Sequence, residues 1–140
     1  TGNFESLDDG RAMGETLADE GADIIMPVAG PVGLGTAAFA QERGGILIIG
    51  VDSDWTQTSP EYTDIVLTSV LKKMDVTTLQ TVQAVLDDTF EGGVVVGTLE
   101  NTGVDLAPFH ELESMVSDEL KAELDDLRAG IIDGSIQTSP

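Results

Sequence analysis

Residues 45–55 read Gly45-Ile46-Leu47-Ile48-Ile49-Gly50-Val51-Asp52-Ser53-Asp54-Trp55. The aliphatic run over 46–51 shows no polar alternation, as expected of a parallel strand buried on both faces. It stops abruptly at small polar residues. Three other segments end in a comparable turn: Thr1-Gly2-Asn3-Phe4, Ala29-Gly30-Pro31-Val32-Gly33 and Thr68-Ser69-Val70-Leu71-Lys72-Lys73. The strands of a parallel α/β sheet all end on one edge, and ligands bind in the crevice there. Phe4, Gly30, Asp52 and Lys72 are therefore expected to converge on a small-molecule-binding edge.

Outward from that strand, helical and extended patterns alternate. Ser6 is a candidate N-cap, with Asp8 and Asp9 in the first turn where acids favour the helix dipole. Gly10, Met13, Gly14 and Leu17 share one helical face, and the glycines suit close approach to a sheet. Gly21 ends that helix. Residues 22–28 predict a buried strand, and residues 35–43 a helix of small residues stopped by Gly44-Gly45. After a loop over 52–63, residues 64–69 predict a strand and residues 75–90 a helix with Val76, Leu79, Val82, Leu86 and Phe90 on one side. Gly92-Gly93 precedes a predicted strand over 94–99. The turn Asn101-Thr102-Gly103 would return the chain as a hairpin arm over 104–107. Ser117 caps a last helix with an apolar seam of Leu120, Leu124, Leu127 and Ile131. The reading is α/β: a mostly parallel sheet with helices on both faces. Residues 1–134 form a single ligand-binding lobe, and residues 135–140 a polar tail.

The 140 residues carry 26 acids against 6 bases, a net charge of −20, and are 41% hydrophobic but only 4% aromatic. The core is thus expected to be aliphatic. Binding phosphates needs clustered Lys and Arg, so nucleic acid and anionic membrane surfaces are disfavoured as direct partners. The charge keeps the surface solvated. No cysteine is present, which excludes disulfides and thiolate metal sites. No apolar run reaches the roughly 18 residues of a membrane-spanning helix.

The chemistry-bearing residues are few. Lys72 and Lys73 are two of only three lysines. Side chains alternate along a strand, so one of the pair points inward, and Lys72 is the better candidate; otherwise both pair with surface acids. Asp52 offers a carboxylate that accepts two hydrogen bonds and suits a vicinal diol such as a ribose. Asp54 either does the same or caps the next turn, and capping is the role expected of it. The segment 30–35, Gly-Pro-Val-Gly-Leu-Gly, can present backbone N–H groups to an anion, or it is simply a tight strand-to-helix turn. Phe4 either stacks on a flat ring or lies under the first helix. Trp55 lines the crevice mouth or covers the core. His110 is the only histidine and has no evident partner for catalysis or metal binding. No cofactor, metal or catalytic residue is expected.

One enzyme reading competes. Asp52-Ser53-Asp54-Trp55-Thr56 matches the D-x-D-x-T pattern of haloacid-dehalogenase-type phosphatases, whose first Asp is the nucleophile beside a magnesium ion. That family needs a further acidic pair after another strand. Here Asp87-Asp88 falls in a predicted helix and Asp105 stands alone.

A fuller resemblance runs along the whole chain. Thr1-Gly2-Asn3-Phe4, Gly21-Ala22-Asp23-Ile24-Ile25, Val28-Ala29-Gly30, Gly50-Val51-Asp52-Ser53-Asp54, Leu67-Thr68-Ser69-Val70-Leu71-Lys72 and Leu106-Ala107-Pro108-Phe109-His110 occur in that order. The series resembles the C-terminal half of the basic membrane protein family, of the purine nucleoside receptor A type. The resemblance implies a substrate-binding lipoprotein of an ABC importer and one lobe of a two-lobe periplasmic-binding fold. It implies a nucleoside between the lobes, with Phe4 stacked on the base, Gly30 approaching through its backbone, Asp52 on the ribose hydroxyls, and Lys72 on the ligand or on Asp52. Trp55 departs from the glutamine expected there. The implied partner is an ABC permease, and the implied location is extracytoplasmic, held by a lipid on an N-terminal part outside this chain. The opening on Thr1, without a start methionine or preceding strand, is expected of an excised lobe, whose uncovered face invites self-association. Relatives that act as regulators leave an effector-sensing domain as a further alternative.

Overall fold

The computed structural model describes residues 2–28 and 30–138. Thr1 of the first predicted turn, Ala29 of the second and the last two residues of the predicted tail lie outside them. The elements are α1 (Leu7–Asp19), β1 (Ile24–Ile25), α2 (Val32–Arg43), β2 (Leu47–Asp52), α3 (Trp55–Thr58), β3 (Val66–Lys72), α4 (Met74–Leu86), β4 (Val104–Leu106) and α5 (Asp118–Ile132). Short 3-10 turns cover Pro60–Tyr62 and His110–Met115. The strands lie in the order β1-β2-β3-β4 in one mostly parallel sheet. β1 runs parallel to β2, with Ile24 opposite Leu47 and Ile25 opposite Ile48. β4 is the exception. The Ala107 N–H donates to the Ser69 carbonyl at 2.8 Å and the Lys73 N–H to the Gly103 carbonyl at 2.9 Å. Numbers rise along one strand as they fall along the other, so β4 is antiparallel to β3.

The chain divides into two compact units. The first runs to Val70 and takes in Leu106–Met115. It holds a core of Ile25, Ala37, Phe39, Ala40, Ile48, Val66 and Trp55, aliphatic in the main as the composition implied. α1 begins as expected, with the Ser6 hydroxyl accepting the Asp9 N–H at 3.2 Å. Its glycines do permit close approach, but to α2 rather than to the sheet. A Cβ on Gly10 would lie 1.9 Å from the Val32 carbonyl oxygen, and one on Gly35 would lie 2.0 Å from that of Leu7. The Thr36 hydroxyl, buried at this crossing, donates to the Gly10 carbonyl at 2.7 Å. Arg43 pairs with Asp19 at 2.8 Å, Arg11 pairs with Glu42, and both guanidinium groups lie 5.8 Å from the Phe39 ring centroid. Periodicity identifies the face of α1 that is buried but not what lies against it.

The second unit comprises Leu71–Asp105 and the chain from Val116 onward. Ser117 caps α5 as predicted, its hydroxyl accepting the Leu120 N–H at 3.2 Å. Arg128 of α5 pairs with Asp105 of β4. α4 buries none of its residues, so the apolar side predicted for it stays largely open.

Several extents differ from the sequence reading. The strand expected over 22–28 shrinks to Ile24–Ile25, and Ile24, Met26 and Val28 are exposed. As first in the sheet order, β1 has a neighbour on one side only among the described residues. α2 starts at Val32 rather than Gly35. The segment 68–73, read as a turn, is strand as far as Lys72. Residues 94–99 form no strand.

Candidate functional site

The most constrained backbone in the first unit lies where β2 ends. The Ser53 N–H donates back to the Val51 carbonyl at 2.9 Å, and Asp52 between them has φ +70°. A two-residue hydrogen bond around a positive φ is a γ-turn of the rarer, strained kind. A non-glycine residue in this region costs free energy, and such residues cluster at functional sites. The turn sits on the last residue of β2, at the carboxyl edge of the sheet.

Trp55 stabilises this turn from behind. Its indole Nε1–H donates to the same Val51 carbonyl at 3.0 Å, and its backbone N–H donates to the fully buried Ser69 hydroxyl at 3.1 Å. The ring packs on Gly50, where an added Cβ would meet Trp55 Cγ at 2.6 Å, and reaches Gly33, where a Cβ would meet Cη2 at 3.2 Å. Trp55 is only 6% exposed. Of the two readings open for it, it covers the core. The same ring makes the end of β2 a neighbour of the first turn of α2.

That first turn meets Phe4. The Val32 N–H donates to the Phe4 carbonyl at 3.0 Å, and a Cβ on Gly30, whose φ is +63°, would stand 3.6 Å from that oxygen. The Phe4 ring is 73% exposed, so it does not lie under the first helix. Asn3 holds the segment in an Asx-type turn, its side-chain oxygen accepting the Glu5 N–H at 3.1 Å and the Ser6 N–H at 2.8 Å. The anion cradle imagined for residues 30–35 does not form. Gly33 and Leu34 donate to the Gly30 and Pro31 carbonyls at 3.0 Å, and Val32 is taken by Phe4.

Asp54 takes the capping role expected of it. Its carboxylate caps α3 through the Thr56 N–H at 3.1 Å and the Thr56 hydroxyl at 2.8 Å, and it accepts from Gln57 at 3.1 Å. Its second oxygen lies 2.9 Å from His110 Nε2. Burial opposes the carboxylate charge, but the Thr56 hydroxyl, His110 and the Thr56 N–H outweigh it and hold the carboxyl below the ordinary aspartate range. This pairing of His110 was not foreseen. Nothing local signals a pairing across 56 positions.

Phe4, Gly30 and Asp52 thus belong to the first unit, and the Phe4 carbonyl lies beside the Gly30–Val32 turn, hydrogen-bonded to Val32. Lys72 belongs to the second, as the last and exposed residue of β3. Sequence reasoning also missed an apolar hollow of about 210 Å³ between α1, the segment after β1 and α2, lined by Met13, Ile25, Met26, Val28 and Val32 among others. None of the four predicted site residues lines it.

Residues 1–139 match the family of PnrA-like ABC transporter substrate-binding proteins. The chain belongs to that family. It is 34% identical over 137 residues to Basic membrane protein A of Borreliella burgdorferi, an alignment covering 96% of this chain and 39% of that protein. The chain therefore spans well under half the length of the curated relatives it matches. Among solved structures, it resembles an ABC transporter solute-binding protein from Aeropyrum pernix K1, with TM-score 0.81, 20% identity and coverage of 97% and 45% of the two chains. A transcriptional activator of the comK gene from Bacillus halodurans shares the fold equally well, with TM-score 0.82, 18% identity and coverage of 99% and 47%. These likenesses fix the fold as that of a solute-binding lobe. PnrA-like proteins bind substrates for transport and are not enzymes, which removes the phosphatase reading of Asp52 and Asp54.

Proposed function

We propose that this chain is the C-terminal lobe of a nucleoside receptor for an ABC importer. The observation that carries the reading is Asp52, raised on a strained turn at the carboxyl end of β2. An acceptor-only carboxylate there suits the two hydroxyls of a ribose. The exposed Phe4 ring supplies a face for the base. Gly30 lacks a Cβ, so ligand can approach its backbone. Lys72 contributes a donor to the ligand or to Asp52. Residues 1–134 act as one lobe, the ligand bridges it to a second lobe, and hinge closure presents the closed form to a membrane permease. The receptor works outside the cytoplasm and is held to the membrane by a lipid on an N-terminal part outside this chain. A sensing role shares the fold, but the 34% identity to a basic membrane protein favours the receptor.

Calorimetric titration of the full-length two-lobe polypeptide with adenosine, guanosine, inosine, cytidine and uridine, without magnesium, tests the proposal. Saturable binding of at least one nucleoside is expected. Lys72→Ala should weaken that binding about tenfold, the scale of one hydrogen bond to a charged group. Silence across the panel, from folded protein free of copurified ligand, would overturn the reading.

A further inference from the structure

We propose that His110 is a positioning residue for the ligand-binding turn: through the Asp54 carboxylate it fixes the loop that presents Asp52. The inference rests on the nucleoside reading for its effect on affinity, but its structural part stands by itself.

The γ-turn at Asp52 is costly, since φ +70° is a minority conformation even for aspartate, and contacts from outside the turn stabilise it. Two supports come from behind the turn: Val51 O, which accepts from both Ser53 and Trp55, and the Ser69 hydroxyl beneath Trp55. Both hold the inner side of the loop. The outer side is held at Asp54, two residues past the turn, and there one carboxylate oxygen serves Thr56 while the other serves Gln57 and His110. Thr56 and Gln57 belong to the same short helix and move with the loop. Of these carboxylate partners, His110 alone comes from a distant stretch, the 3-10 turn His110–Met115 after β4. That stretch is itself anchored, since the preceding Ala107 carbonyl accepts the buried Thr68 hydroxyl at 2.7 Å. His110 therefore ties the loop to the sheet, and it does so at a backbone cost of its own, with φ +45°.

The unusual φ allows a sharp test. Asparagine tolerates the left-handed region better than histidine does, but its side chain stops at the level of Nδ1 and cannot reach Asp54. Glutamine carries a donor as far out as Nε2. In the full-length polypeptide, His110→Asn should move the backbone amide resonances of Ser53 and Asp54 without ligand and weaken adenosine binding about tenfold, with no fall in melting temperature. His110→Gln should restore both to within about twofold of the parent. A role limited to backbone shape predicts the reverse order, with Asn neutral. Unmoved loop resonances in His110→Asn, or equal behaviour of Asn and Gln, would overturn the proposal. If the parent fails to bind adenosine, the tightest-binding nucleoside of the panel replaces it as the probe; if it binds none of the five, the nucleoside reading loses its support, while the ligand-free resonances still decide the role of His110.

Discussion

Residues 44–51 and 92–99 begin alike, each with a glycine pair followed by an aliphatic run, Ile-Leu-Ile-Ile-Gly-Val in the first and Val-Val-Val-Gly-Thr-Leu in the second. The first becomes β2, with Ile48 at 0% exposure and strands on both sides. The second stays irregular, with Val94 at 92% exposure. The difference lies in where the backbone hydrogen bonds go. In the first run they go to neighbouring strands, the Leu47 N–H to Asp23 and the Ile48 N–H to Ile65, both at 2.8 Å. In the second, Asn101 takes them locally. Its side chain accepts the Thr98 N–H and donates to the Val96 carbonyl, each at 2.8 Å. The Gly103 N–H closes the loop on the Thr98 carbonyl at 3.0 Å. An aliphatic run licenses a strand, and partners decide whether it forms.

That contrast can be broken at graded points. The largest effect is expected at Gly10, where an added methyl meets backbone rather than a movable side chain. Gly10→Ala should cost about 3 kcal/mol or more, at the top of the overpacking range, whereas Gly92→Ala, with nothing within 4 Å of its Cβ, should change stability by less than about 0.5 kcal/mol. Chemical denaturation of the two variants reads the difference directly. Next come the two runs themselves. Ile48→Ala should cost about 2–5 kcal/mol and Val95→Ala less than about 0.5 kcal/mol; similar losses in both would mean that 94–99 is buried after all. The smallest effect is at Asp54. Its carboxyl is held below the unfolded value of 3.8, so the stability it contributes is present above that pH and lost as pH falls through the folded value. Asp54→Asn keeps a capping oxygen, since asparagine caps about as well as aspartate, and loses only the charge, so it should cost about 0.5–1 kcal/mol at neutral pH, and the stability curves of variant and parent should converge as pH falls through the folded value, below 3.8.

Much of the first unit, and one helix start in the second, was legible because the signals are local. The caps at Ser6, Asp54 and Ser117, the end of β2 and the close-packing glycines of α1 each follow from a few neighbouring residues. What was not legible depends on distant ones. The apolar run 22–28 looked buried throughout, yet successive side chains point to opposite sides and only one side is covered, so Ile25 is buried while Ile24, Met26 and Val28 are exposed. The hairpin arm expected at 104–107 pairs with β3, while Asn101 closes 94–99 into a loop. At the site, Asp52 was legible as the polar residue ending the most apolar strand. Its positive φ, set by a Ser53–Val51 bond that no residue type there announces, and the His110 link across 56 positions were not.

The most direct test of the central claim is calorimetric titration of the full-length polypeptide and its Asp52→Ala variant with whichever nucleoside of the five the parent binds most tightly. The account predicts saturable binding by the parent and a loss of about 10- to 100-fold in the variant, the value of hydrogen bonds from ribose hydroxyls to a charged acceptor. Equal affinity in the two proteins would contradict it, and would remove Asp52 from the ligand.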